Sequence, residues 1–171
     1  MARAVKPKAR SLPPHIVFFL GLLDEAFSRK AWHGPNLRGA LRGVTAPQAA
    51  WRPDPGRHNI WEIAVHVAYW KYAVRRRLTG AKRGSFAVTG SNWFERPVDA
   101  TPAAWARDVA LLLDEHQKLR SAIAGLDAAG LGKGRTREAR IHMIRGIAAH
   151  DLYHTGQIQL LKRMCPLAAG S

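Results

Sequence analysis

The chain has 171 residues, a length suited to one domain with its own hydrophobic core. With 47% hydrophobic residues it is not globally disordered, and its single cysteine, Cys165, excludes an internal disulfide and any CxxC zinc site. The formal net charge of +15 raises nucleic acid as a partner, but no zinc finger, aromatic RNA-binding signature or basic zipper is present.

Part of the charge sits in the opening MARAVKPKAR, which reads as a flexible basic arm over residues 1–10. The apolar run IVFFLGLL (16–23) follows Pro13-Pro14 and leads into DEAFSRKAW, with no small-residue cleavage site. It is too short to span a bilayer, and a core helix is the better reading of it than a secretory signal. Ile16, Phe19, Leu20, Leu23 and Phe27 recur at helical spacing, so a first core helix is expected from Pro14 to Trp32. A loop-rich stretch follows, with a short helix expected around Leu37–Leu41 before Pro53, Pro55 and Gly56 break the chain.

The second long helix is expected from Asn59 to Thr79. Asn59 and Glu62 have the form of a capping box, with Asn in place of Ser or Thr. Ile63, His66, Trp70 and Ala73 form its stripe. After an irregular segment, Thr101-Pro102 opens a third helix to about Leu126, with a seam of Trp105, Val109, Leu112, His116, Leu119, Ile123 and Leu126. The fourth runs from about Arg137 to Met164, stopped by Pro166, and its stripe is Met143, Ile147, His150, His154, Gln157 and Leu161. Four helical patterns and no strand predict an all-α four-helix bundle over residues 11–165, with a tail at 166–171.

The stripes turn His66, His150 and His154 inward. His150 and His154 lie four residues apart, neighbours on a helix surface from which two imidazoles can converge on one ion. A third imidazole from a facing helix completes a three-His site with open positions. From spacing alone, hydrogen-bonded core histidines are an equally good reading. Asp151 follows His150 where a zincin helix has Glu, and no Glu-x-x-His pair supports a di-iron site. Glu62, one turn before His66, is a weak catalytic candidate and the better cap. His116 is a second weak candidate, as a cavity-facing group or a core histidine. In GSNWFERP (90–97), Trp93 and Phe94 stand out as large apolar residues among loop formers, fit to cover a site or pack a dimer.

HDLYHTGQIQLLKR (150–163), with His-x-x-x-His followed by Gly-Gln, resembles the last-helix signature of the DinB/YfiT-like superfamily. RHNIWEIAVHVAYWKYAVRRRLTG (57–80) is similar to its second helix. The resemblance extends from Ser11 to Cys165 and implies a four-helix bundle with a long connection between the second and third helices. It places the family's three metal ligands on His66, His150 and His154, binding a divalent ion such as zinc or nickel. It also implies frequent homodimers and small-molecule chemistry, since characterised members include thiol-dependent S-transferases, a maleylpyruvate isomerase and proposed hydrolases. A low-molecular-weight thiol is the implied co-substrate. A non-catalytic, nucleic-acid-associated protein using the basic surface is the alternative. One unpaired cysteine and no membrane span make a cytoplasmic location the expectation.

Overall fold

The computed structural model describes residues 11–126 and 130–168; the basic arm and the end of the tail lie outside them. All regular structure among the described residues is helical, apart from one isolated bridge between Ala31 and Gly34. The helices are α1 (Pro14–Phe27), α2 (Leu37–Leu41), α3 (Ala46–Ala50), α4 (Ile60–Thr79), α5 (Pro102–Ala124) and α6 (Gly134–Met164), followed by a 3-10 turn at Pro166–Ala168. Among the described residues no helix is long and apolar enough to cross a membrane.

Local chemistry explains most boundaries. α1 ends at Phe27, five residues before the expected Trp32, because the Asp24 carbonyl accepts from both Ser28 and Arg29 and closes the last turn. Ser28, Arg29 and Lys30 offer no apolar side chain to extend the buried stripe, and Trp32 is fully exposed. α3 lies outside the expected elements, although Thr45 and Gln48 form a complete capping box with Pro47 in its first turn. α4 starts on the expected Asn59–Glu62 box and ends on Gly80, whose φ of 72° suits a residue without a Cβ. α5 opens on Thr101, whose hydroxyl accepts from the Ala104 N–H.

Four long helices carry the core. α4 packs on α5 and α6, and α1 packs on the same two; α2 braces α6, while α3 packs on α4 and α5. α4 is buried nearly all round, so its expected single stripe understates its burial. Two apolar clusters result. One gathers Leu37, Trp61, Ala64, Leu112 and Ile158, and the other Ile16, Leu23, Val74, Leu119 and Ile144. Each fully buried Leu or Ile among them stabilises the fold by about 1.5–3 kcal/mol. The Trp61 and Trp105 indoles donate to Asp108 and to the Val44 carbonyl, so neither buries an unpaired N–H.

A polar layer divides the two clusters along every long helix. It comprises Asp24 on α1, Lys71 on α4, His116 on α5 and Asp151 on α6, each buried. On α6 the buried line runs through Ile144, Ile147, Asp151, His154, Ile158 and Leu161. Asp151 therefore sits at the centre of the core face, and His150 is half-buried at its border, where sequence periodicity had put His150 on the central line.

The connection between α4 and α5 has no helix, yet it is tied down by aromatic rings. Phe86 and Phe94 pack against Tyr69 with ring centroids 5.4 and 5.5 Å away. The Tyr72 hydroxyl oxygen accepts from the Gly84 and Ser85 amides at 3.1 and 3.3 Å.

Candidate metal centre

α4 and α6 bring His66, His150 and His154 together. Their ligating nitrogens lie within 4.8 Å of one another, a group able to hold a metal ion. The Nε2 atoms of His66 and His154 each lie 3.1 Å from Nε2 of His150. Two nitrogens bound at about 2.1 Å to one ion are separated by about 3.0–3.4 Å, so the spacing fits a shared ligand set.

The outer nitrogens fix the protonation pattern. His66 Nδ1 lies 2.8 Å from the Asn92 carbonyl, which can only accept, so Nδ1 carries the proton. His154 Nδ1 lies 2.7 Å from Gln157 Oε1, while Gln157 Nε2 donates to the Tyr153 hydroxyl. In the neutral imidazoles both inward Nε2 atoms therefore present lone pairs to His150. A single N–H on His150 Nε2 can satisfy one of them and leaves the other lone pair unpaired. An added proton can bridge only one of the two contacts, whereas a metal ion would take all three inward lone pairs at once.

Burial argues against the proton. Desolvation, helped by the neighbouring imidazoles, holds His150 down at about 3 and His154 at about 4, and it also lowers His66. Neutral, convergent imidazoles are what a divalent ion requires. His150 Nδ1 is buried without a hydrogen-bond partner among the described residues and is the least supported of the three outer nitrogens.

The connection between α4 and α5 covers one side of the cluster. Asn92, with φ of 63°, takes a left-handed turn that Asn tolerates. Its carbonyl holds His66, and its side-chain oxygen accepts from Trp70 Nε1 at 3.0 Å. Trp93 stacks between His66 and His58 with centroids 3.8 and 3.6 Å away, so it covers the cluster within this chain. Phe94 is buried in the aromatic cluster instead.

Glu62 and His116 are placed elsewhere. The Glu62 carboxylate closes the capping box, pairs with both Arg52 terminal nitrogens and meets His58 Nδ1 at 2.9 Å. The Arg96 amide also donates to it. Burial opposes its charge, but the bonds from Arg52 and His58 prevail and hold it below the ordinary carboxylate range. His116 stacks on Phe27 at 3.5 Å, and burial pushes it down to about 3. It is not one of the three convergent histidines. His58 was not marked by spacing and reaches the cluster only through Trp93.

The DinB superfamily model matches residues 31–158. The chain belongs to the DinB superfamily. The matched span contains all three histidines, together with Asn92 and Gln157. No curated protein and no solved structure matches the chain. Asn92 and Lys71 carried no marking signal in the sequence, whereas Gln157, three residues after His154, falls at a helical spacing that allows it to hold that ring.

Proposed function

We propose that this DinB superfamily member is a metal-dependent enzyme. It is read as a DinB/YfiT-like four-helix bundle with a long connection between the second and third long helices. One divalent ion, zinc or nickel, is held by His66, His150 and His154, and the chain acts on a small molecule as a thiol-dependent transferase or a hydrolase. The observation that carries the reading is the set of three inward Nε2 atoms with too few protons to satisfy one another.

When bound, the ion supplies a Lewis acid that lowers the pKa of a water or thiol towards neutrality. Asn92 and Gln157 orient two of the imidazoles through their Nδ1–H groups and keep the inward lone pairs available. Trp93 excludes water from the His66 side, so a substrate approaches past half-buried His150. Glu62 is not assigned the base, because Arg52 and His58 hold its carboxylate. A homodimer is supported by the apolar outer face of α6, where Leu152, Tyr153, Leu160 and Met164 are exposed. The thiol co-substrate and the cytoplasmic setting rest on the family resemblance and the single cysteine.

The test is metal content per chain after incubation with zinc and with nickel, followed by turnover of a panel of electrophiles with low-molecular-weight thiols. About one ion per chain and turnover on the panel are expected. A chain that stays metal-free sinks the enzyme reading, and a loaded chain silent on the whole panel reduces it to a metal-binding protein.

A further inference from the structure

A cleft of about 450 Å³ lies between α4 and the start of the connection, lined by Tyr72, Arg76, Arg77, Arg83 and Ser91 among others. No carboxylate lines it. Arg83 is exposed and has no hydrogen-bond or ion-pair partner among the described residues. Arg77 is also exposed; its guanidinium lies over the Trp70 ring at 5.8 Å, and it has no hydrogen-bond or ion-pair partner among the described residues. Arg76 spends one N–H on the Ala81 carbonyl. Arg76 and Arg77 occupy the last turn of α4, where a cation offsets the helix dipole. That role does not account for Arg83, which comes from the connection beyond the helix.

The cleft adjoins the histidine cluster. Ser91 lines it, and the next residue, Asn92, holds His66. The Trp70 ring that carries Arg77 lies 6.4 Å from the His66 ring and 6.3 Å from the His150 ring, centroid to centroid. One indole therefore separates the guanidinium from the imidazoles, and Asn92 fixes that indole through its side-chain oxygen. Guanidinium forks suit carboxylate and phosphate oxygens, and two of these have no carboxylate partner among the described residues.

We propose that this cleft binds the anionic end of the substrate, a carboxylate or phosphate held by Arg77 and Arg83, while the reacting end lies at the histidines. The substrate class is then a small anion. The assignment to a substrate rests on the metal-dependent reading above, but the binding chemistry of the cleft does not.

Titration calorimetry of malonate and of inorganic phosphate into the full chain, metal-free and zinc-incubated, tests this. Wild type is compared with Arg77→Gln/Arg83→Gln and with Arg107→Gln/Arg163→Gln, a control pair of exposed arginines on α5 and α6. At least one anion is expected to bind, and which one identifies the group recognised. The cleft variant should lose about tenfold or more in affinity, and the control less than about twofold. The substituted side chains are exposed, so far-ultraviolet circular dichroism should be unchanged. Absence of anion binding overturns the proposal, as does an equal loss in the control, which marks diffuse surface charge. So does a short DNA duplex that binds through these arginines when neither small anion does. A chain that takes up no metal yet binds malonate through Arg77 and Arg83 fails the metal reading and leaves the cleft standing.

Discussion

Lys71 on α4 and Asp151 on α6 form a fully buried ion pair, with Nζ 2.8 and 2.6 Å from the two carboxylate oxygens. Burial pushes the lysine down and the carboxyl up, and each partner offsets much of that for the other. Asp151 adjoins His150, and Lys71 lies on the helix that bears His66, so the pair ties together the two helices that supply the histidines. Lys71→Met alone leaves a buried, unpaired carboxylate and should cost about 3–5 kcal/mol in urea unfolding. Lys71→Met/Asp151→Leu removes both charges and should recover most of that loss. If the double variant is as unstable as the single, the pair contributes more than mutual compensation.

Replacing His66, His150 or His154 with Ala removes one of the three proposed ligands and should cut divalent-metal affinity by well over tenfold in equilibrium dialysis. Gln157→Leu keeps all three ligands but frees the His154 ring, and it should weaken binding by about 10–100-fold. Unchanged affinity in Gln157→Leu shows that the 2.7 Å contact does not orient the ligand.

Glu62→Ala should lower stability by more than the about 1 kcal/mol of a lost cap, because Arg52 and His58 also lose their partner. Metal content per chain should stay at the wild-type value. A parallel loss of metal with the global fold intact shows that the carboxylate acts on the His66 site after all.

Stability of the metal-free protein should fall on acidification from pH 7 to pH 5. Burial holds His66, His116, His150 and His154 below their ordinary value, to about 3 for His116 and His150 and about 4 for His154. Their unfolded counterparts take protons near pH 6.5, so across this window the unfolded state binds more protons and is favoured as pH drops. Each histidine contributes up to about 1.4 kcal/mol per pH unit below pH 6.5. Urea-unfolding free energies at pH 7, 6 and 5 measure it, and a flat profile shows that these rings are solvated.

The four long helices and the inward turn of His66, His150 and His154 are legible along the chain. Those features follow from local rules: the 3.6-residue period, the Asn59–Glu62 box, the Thr101-Pro102 start and the stop at Pro166. Thr45 and Gln48 carried the same kind of signal for α3. What surrounds the histidines comes from packing, because those partners lie far apart along the chain. Asn92 reaches His66 across 26 residues and Lys71 reaches Asp151 across 80. Trp93 comes to rest on His66 by packing of the connection. Periodicity counts residues along one helix and is blind to a charge on another. It therefore put His150 at the centre of the α6 face, a place that Asp151 holds because Lys71 lies opposite it with no water available to either.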